Sequence, residues 1–344
     1  MAKKQSQKID KQLDENLKEL EGFFGAGTMI KASDRKLAQV KQWVTSGSLT
    51  LDMATGGKGI PKGGLCTCII GKESASKTTL ALHIIAEDQK NGERCCFLDA
   101  EGTLDLEYAE ALGVNLDMLD IVERVKYLEE LGVKDREFLT GEEWLEIAGK
   151  AISSNLYGTI VLDSVASLIP ASEVGTGLTG GRLAGVAAMM SKAYRMINGA
   201  LSSSRSAFVY LNQYRMNPGG YVPLTEPGGE AWKYLQALKL DITKSLDKDD
   251  DGVYGIYVNG KVSKSKVCVP YKKFSYYVEF GKGIQRVQEI IDVAEELKLI
   301  ERKGGWYTID GNSIQGNEKV KQFLLDNPEY MQSLEDQIRN YEKA

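Results

Sequence analysis

The fold is decided by residues 65–79, which read Leu-Cys-Thr-Cys-Ile-Ile-Gly-Lys-Glu-Ser-Ala-Ser-Lys-Thr-Thr. The apolar run at 65–70 predicts a buried strand, and the apolar residues at 80–85 predict a helix. Between them lies the pattern of a phosphate-binding loop, in which backbone N–H groups surround a phosphate at a helix N-terminus. Its residues are Gly71, Lys72, Glu73, Ser74, Ala75, Ser76, Lys77, Thr78 and Thr79. We therefore expect a nucleoside triphosphate to be the ligand.

Two residues of this loop have expected chemical roles. The Lys77 ammonium would span the β- and γ-phosphate oxygens, and the Thr78 hydroxyl would ligate Mg²⁺. Ser76 occupies the place where the motif usually has glycine. Either the loop tolerates a small hydroxyl residue there, or its backbone geometry is altered.

Composition excludes several classes of protein and site. The 344 residues are 42% hydrophobic and 26% charged, with no run of about 18 apolar residues and no apolar signal-peptide core at the start. We expect a cytoplasmic protein without a membrane partner. His83 is the only histidine, which excludes histidine-based metal clusters and most Ser/His/Asp triads. Five cysteines lie in apolar or strand-like runs and are expected to be buried thiols: Cys66, Cys68, Cys95, Cys96 and Cys268.

Strand-like runs alternate with helix-length segments through the centre of the chain. This alternation predicts an α/β fold with a mostly parallel, doubly wound sheet. The predicted strands are Leu65–Ile70, Cys95–Asp99, Thr159–Asp163, Ala207–Leu211 and Leu238–Thr243. Two loops without periodicity, at about 168–186 and 214–230, follow strands where ligands bind in open α/β sheets.

Smaller segments flank this central body. Residues 1–45 are expected to form an amphipathic helix, with apolar residues from Ile9 to Phe24, and a linker. Residues 46–283 would form the core. Residues 284–344 would form a small α+β domain, with helices near 284–299, 318–325 and 329–341 and a strand at 306–309.

Two carboxylates follow strands at the expected ligand-binding edge. Asp163 closes the strand Thr159–Asp163, where an aspartate can hold the Mg²⁺ hydration shell through water. Glu101 follows the strand Cys95–Asp99, where a carboxylate can polarise the water that attacks the γ-phosphate. With Lys77 and Thr78, these residues favour nucleotide hydrolysis over passive nucleotide binding.

Several motifs in order resemble the bacterial RecA recombinase family. They are Phe24–Ile30, Ser46–Asp52, Asp99–Asp105, Val161–Ala166, Asn212–Met216 and Asp326–Glu329. The resemblance spans nearly the whole chain. It implies a RecA-type P-loop ATPase core, an N-terminal helix that docks on the next subunit, and a small C-terminal domain at the surface of a helical filament.

The resemblance also implies roles for individual residues. Glu101 matches the residue that activates water, Asp105 and Tyr108 match residues against the adenine, and Gln213 matches the γ-phosphate sensor. The pair Lys264 and Lys266 matches lysines that reach across the interface to the neighbour's γ-phosphate. Lys233 matches another interface lysine near the nucleotide.

The two irregular loops match the family's DNA-binding loops. Their glycines would let backbone N–H groups approach phosphates, arginines would supply charge, and apolar residues would wedge between bases. The candidate DNA-binding residues are Arg182, Leu183, Val186, Arg195, Arg215, Tyr221, Val222, Gly228 and Gly229. The second loop is shorter than in the bacterial family, and the first has no arginine before Met189-Met190. Together with Ser76, these departures are typical of a divergent member of the family, such as one encoded by a phage.

The resemblance implies an ATP-dependent recombinase that polymerises on single-stranded DNA and exchanges strands with homologous double-stranded DNA. Single-strand-binding and loader proteins are candidate partners. Two alternatives stay open at this point. One is a RecA-fold helicase or ring ATPase. The other is a DNA-binding filament scaffold whose hydrolysis is weakened by Ser76.

Overall fold

The computed structural model describes residues 2–25, 42–123, 139–174, 183–216, 224–249 and 252–341. The chain divides into two units, residues 1–39 and 40–344. In the described ranges, we find no helix that combines the length and the apolar character needed to cross a membrane.

The first unit contains helix α1, Ala2–Phe24. Phe23 and Phe24 at its end are 77% and 71% exposed. The expected amphipathic helix is therefore present and begins earlier than Ile9. The motif at 26–30 and the linker up to residue 41 lie outside the described residues.

The second unit is built on a nine-stranded sheet. Two short strands, β1 (Trp43–Val44) and β2 (Ile60–Pro61), form a separate ribbon before it and pair with each other. The strands of the large sheet in chain order are β3 (Leu65–Gly71), β4 (Cys95–Asp99), β5 (Leu119–Glu123), β6 (Thr159–Asp163), β7 (Ala207–Gln213), β10 (Gln236–Asp249), β11 (Gly252–Ser265), β12 (Lys273–Glu279) and β13 (Gly283–Ile284).

The spatial order of this sheet is β13-β12-β11-β10-β3-β7-β6-β4-β5. The six strands from β10 to β5 pair in parallel, while β11, β12 and β13 extend the sheet antiparallel. The mostly parallel α/β sheet is confirmed, and all five predicted strands exist. The antiparallel extension was not predicted, although its sequence carries the alternation of strands at Ile256 and Val258 and at Phe274, Tyr276 and Val278, all of which are buried.

Helices cover both faces of the sheet. The helices of this unit are α2 (Leu49–Ala54), α3 (Lys77–Lys90), α4 (Leu106–Ala111), α5 (Gly141–Ser154), α6 (Leu183–Leu201) and α7 (Gly229–Leu235). Successive strand residues enter different cores because side chains alternate along a strand. Ile69 lies in the core that contains α3, whereas Ile70 lies in the core that contains α5 and α6.

The cysteine prediction was correct for four residues and wrong for one. Cys66, Cys68, Cys95 and Cys96 are buried, and burial raises the pKa of each thiol. Cys268 is only partly buried, and its sulfur lies 3.0 Å from the Ser265 hydroxyl in a hydrogen bond.

A small α+β domain follows β13. It contains α8 (Arg286–Glu296), a three-stranded sheet of β14 (Glu301–Lys303), β15 (Trp306–Ile309) and β16 (Asn312–Gln315), and helices α9 (Asn317–Asp326) and α10 (Pro328–Tyr341). The apolar core of this domain includes Leu49 of α2, so the domain packs directly against the segment that precedes the large sheet. The buried Glu289 carboxylate accepts hydrogen bonds from the backbone N–H groups of Leu49 and Thr50 at 3.1 and 3.3 Å. These bonds join α8 to the N-terminus of α2.

The single histidine lies where this domain begins. His83 Nε2 accepts a hydrogen bond from the Ile284 backbone N–H at 2.9 Å. Burial lowers the pKa of His83 to about 4, although the nearby Glu87 carboxylate opposes this. The imidazole is therefore a neutral acceptor at neutral pH, and its role is structural.

This histidine should make the fold sensitive to acid. Below pH 6.5 the unfolded chain binds a proton at His83 that the folded chain resists down to about pH 4. Stability is therefore lost as pH falls through this window, by roughly 3 kcal/mol in total. The check is urea unfolding of wild type and His83→Gln from pH 7.5 to 4.5. The difference between the two curves isolates this residue, because Gln retains an acceptor and does not titrate. Parallel curves would contradict the assignment.

Candidate functional site

The carboxyl ends of the parallel strands form one side of a cavity. The phosphate-binding loop follows β3, Gln213 ends β7, Asp163 ends β6, and Glu101 follows β4. Parallel strands end at the same edge of a sheet, and ligands bind there. The cavity has a volume of about 380 Å³, and residues 73–79 line it together with Glu101, Asp163 and Gln213.

The phosphate-binding loop has two residues with left-handed backbone conformation. Ser74 has a φ of 55°, and Ser76 has a φ of 60° and ψ of 33° at the N-cap of α3. The Ser76 side chain makes no capping hydrogen bond. Glycine usually occupies such a position because a Cβ atom is unfavourable there. Ser76 therefore takes the conformation that the usual glycine would adopt.

Replacing Ser76 by glycine should stabilise the protein. Removing the Cβ atom relieves a left-handed conformation that costs about 1–2 kcal/mol, while the more flexible unfolded chain offsets part of this gain. We expect Ser76→Gly to raise the free energy of unfolding by roughly 0.5–1 kcal/mol. Ser76→Ala is the matched control, since it removes the hydroxyl and keeps Cβ. Denaturant unfolding of the three proteins checks this, and equal stabilisation by Ala would contradict it.

Lys77, Thr78 and Asp163 lie together at the start of α3. The Thr78 hydroxyl donates to Asp163 Oδ2 at 2.7 Å, and the Lys77 ammonium donates to the Lys72 carbonyl at 3.0 Å. Burial raises the pKa of Asp163 to about 6, and burial lowers the pKa of Lys77. A hydroxyl and a carboxylate are the oxygen ligands that Mg²⁺ prefers, and Mg²⁺ keeps several waters in such sites. The donor set therefore fits a magnesium ion held directly or through water.

Glu101 and Gln213 contact each other across the cavity. The Gln213 amide Nε2 donates to Glu101 Oε1 at 3.3 Å, and the Ser164 hydroxyl donates to the same oxygen. The turn that contains Glu101 is shaped by Asp99, whose carboxylate accepts from the N–H groups of Gly102 and Leu104 at 2.8 and 3.0 Å. The Glu101 carboxylate is thus held at the cavity and remains exposed.

The far end of the cavity is partly apolar. Tyr108 lines it, and its hydroxyl lies 3.2 Å from the Thr79 hydroxyl. Asp105 is not a lining residue; its carboxylate caps α4 by accepting from the Tyr108 N–H at 3.0 Å. Five lining residues were missed in the sequence: Lys244, Leu246, Ile256, Val278 and Phe280. They come from β10 to β12 and the following turn, and only strand pairing brings them to the cavity.

Lys264 and Lys266 do not line this cavity. Their ammonium groups donate to the carbonyls of Lys233 and Tyr234 at 2.5 and 3.1 Å. Both therefore lie at the C-terminal end of α7, on one face as expected. The Lys233 side chain pairs with Glu230 at 2.5 Å and is likewise absent from the cavity lining.

The first loop is shorter than predicted. Helix α6 begins at Leu183, so Leu183 and Val186 lie in its first turn, because their apolar spacing continues into the helix. Val186 is partly buried and packs against the core, and its contact with DNA stays a prediction. Arg195 is exposed but lies about 18 Å along the helix axis from Leu183. Arg182 lies outside the described residues.

The second loop has an ordered base. Strands β8 (Arg215–Met216) and β9 (Leu224–Thr225) pair antiparallel, and the Arg215 guanidinium donates to the Ala166 carbonyl at 2.7 Å. Gly228 and Gly229 have φ values of 105° and 70° where α7 begins. Gly228 is buried against Trp232, whereas Gly229 is exposed with open space around it. Tyr221 and Val222 lie outside the described residues.

Comparison with known proteins identifies the family of this chain. The family model of the RecA N-terminal domain matches residues 11–285, and that of the RecA C-terminal domain matches residues 288–343. Protein RecA of Paracoccus denitrificans is 38% identical over 98% of this chain and 92% of its own length. The relatives from Streptococcus mutans and Trichodesmium erythraeum are 37% and 40% identical, over 98% and 96% of this chain and 86% and 88% of their own lengths. This chain belongs to the RecA family of recombinases, which are DNA-dependent ATPases.

Proposed function

We propose that this recombinase binds ATP with Mg²⁺, assembles as a helical filament on single-stranded DNA and exchanges strands with homologous double-stranded DNA. One observation carries the proposal. Lys77, Thr78, Asp163, Glu101 and Gln213 meet at a single cavity that follows a phosphate-binding loop.

The loop residues would hold the triphosphate. Backbone N–H groups at the start of α3 and the Lys77 ammonium would bind phosphate oxygens. Thr78 and Asp163 would hold the magnesium ion, which when bound neutralises charge on the β- and γ-phosphates. Tyr108 and Phe280, both at the cavity, would contact the base, while Asp105 keeps Tyr108 in place by capping its helix.

Glu101 would act on the attacking water. Its carboxylate is exposed at the cavity and is oriented by Ser164 and Gln213. A carboxylate so placed can accept a proton as water attacks the γ-phosphate. Gln213 would report the γ-phosphate to the second loop, because it ends β7 and only Tyr214 separates it from β8 at the base of that loop.

The interface lysines would act between subunits. Lys264, Lys266 and Lys233 do not line the cavity of their own chain. A neighbouring subunit's nucleotide is a chemically suitable target for their charges. Such a head-to-tail contact generates a helical filament when its rotation does not close into a ring, and we propose the filament.

DNA would be held at the two loops. Arg215 and the open backbone at Gly229 are the described candidates, with Arg182, Tyr221 and Val222 from the segments outside the described residues. Contacts of this kind bind the phosphate backbone and stack on bases without reading sequence. Single-strand-binding and loader proteins are candidate partners, and we place the activity in the cytoplasm.

The test is ATP hydrolysis by the purified protein with and without single-stranded DNA, together with strand exchange between a single strand and a homologous duplex. We expect hydrolysis to be strongly stimulated by DNA and exchange to require ATP and Mg²⁺. A heterologous duplex is the control substrate. Turnover indifferent to DNA would favour the ring ATPase, and DNA binding without turnover would favour the scaffold.

A further inference from the structure

A largely buried ion pair joins β10 to the residue that follows β9. The Lys239 ammonium of β10 lies 2.5 Å from Glu226 Oε2, and the two side chains are 16% and 5% exposed. Glu226 follows β9 directly, at the base of the loop. A buried carboxylate needs further polar partners. Glu226 has one in the Gln236 amide, which donates to Oε1 and also to the Tyr210 hydroxyl at 2.6 Å.

This pair contacts the strand that carries the proposed γ-phosphate sensor. The Lys239 ammonium lies 5.9 Å from the centre of the Tyr214 ring, and Tyr214 is the residue after Gln213. The Tyr214 hydroxyl donates to Asp241 Oδ2 at 2.6 Å, on the same strand as Lys239. A second link runs from the Asn212 amide to the Pro227 carbonyl at 2.9 Å. Residues 212–214 are therefore joined to residues 226–227 by two routes.

The pair also lies beside a proposed interface lysine. Lys239 and Lys264 are direct partners in the antiparallel pairing of β10 with β11. Like charges placed opposite each other on neighbouring strands repel. The Glu226 carboxylate attracts both ammonium groups, and it opposes the lowering of the Lys264 pKa that burial and neighbouring lysines cause.

We propose that Glu226 is a positioning residue that, through Lys239, Gln236 and the Tyr214 ring, joins the base of the second loop to the Gln213 strand, so that nucleotide state and DNA affinity change together. This inference rests on the proposed function, because it needs nucleotide and DNA to bind at these two places. Glu226 touches neither ligand. It acts by holding Lys239 and the chain around Pro227.

The test measures coupling rather than activity alone. The affinity for a fluorescent single-stranded oligonucleotide is measured with a non-hydrolysable ATP analogue and with ADP, and the ratio of the two is the coupling factor. By linkage, DNA must change analogue affinity relative to ADP by the same factor. We expect Glu226→Gln, which keeps the shape and removes the charge, to reduce this factor by roughly fivefold or more. Analogue affinity without DNA should stay within about twofold.

Three variants separate positioning from general stability. Lys239→Met should reproduce the loss, and the double variant should add little, since both remove one interaction. Lys239→Arg, which keeps a cation opposite Glu226, should retain most of the coupling that Lys239→Met loses. Asp88→Asn is the matched control, because Asp88 forms a more deeply buried pair with Lys62 at 2.8 Å outside the loop network. It should lower stability and leave the coupling factor unchanged.

Each outcome decides the proposal. If the coupling factor of Glu226→Gln equals that of wild type, or if Asp88→Asn reduces it equally, Glu226 is structural and the inference falls. Should Glu226→Gln fail to fold, Tyr214→Leu tests the same route by removing the ring that Lys239 contacts, and unchanged coupling there overturns it. A wild-type protein whose DNA affinity ignores the nucleotide would instead overturn the proposed function.

Discussion

Glu101→Gln is expected to lower DNA-stimulated ATP turnover by roughly 10² to 10⁴-fold, the usual contribution of a general base. The amide has nearly the shape of the carboxylate but cannot accept the proton of the attacking water. ATP binding and filament formation should persist, because Lys77, Thr78 and Asp163 are unchanged. The measurement is steady-state hydrolysis with saturating single-stranded DNA, alongside nucleotide and DNA affinities.

Glu107→Gln is the control for this variant. Glu107 is exposed in the first turn of α4 and lies outside the cavity lining. It should hydrolyse ATP at the wild-type rate. Loss of DNA binding in Glu101→Gln, or turnover within a few-fold of wild type, would contradict the role assigned to this carboxylate.

Lys264→Ala combined with Lys266→Ala should lower DNA-stimulated hydrolysis by roughly 10³-fold or more, as for other cations supplied in trans to a transferring phosphate. Both ammonium groups also contact carbonyls at the end of α7, at 2.5 and 3.1 Å. Such contacts stabilise a helix end by only about 0.3–1 kcal/mol each, so the monomer should still fold. Lys261→Ala is the control on the same strand.

Mixing variants tests whether these lysines act on the neighbouring subunit. The double lysine variant retains Glu101, and Glu101→Gln retains both lysines. In an equal mixture, about one in four head-to-tail interfaces then contains both functions. Hydrolysis should therefore recover in the mixture although neither variant is active alone. Without recovery, the lysines do not act across the interface.

The conformation of Ser76 bears on the alternative of a DNA-binding filament scaffold with weakened hydrolysis. Ser76 was expected either to be tolerated or to alter the loop, and its backbone occupies the left-handed conformation that suits glycine. This supports a functional phosphate site over a weakened scaffold. Turnover by Ser76→Gly that greatly exceeds the wild-type rate would reverse this interpretation.

The sequence by itself determined the phosphate-binding loop, the parallel strands and the carboxylates Glu101 and Asp163. These features are local, since apolar runs set the strands and functional residues follow directly at their ends. It also determined the family, because several motifs recur in order along nearly the whole chain.

Only the tertiary structure decided which distant residues meet. The cavity wall formed by Lys244, Leu246 and Phe280 depends on the pairing of β10 to β12, which no local pattern shows. The Glu226–Lys239 pair likewise joins two charged residues that no local pattern brings together, and the fold leaves their side chains only 5% and 16% exposed. Local propensity specifies an element, whereas burial and charge pairing depend on what packs against it.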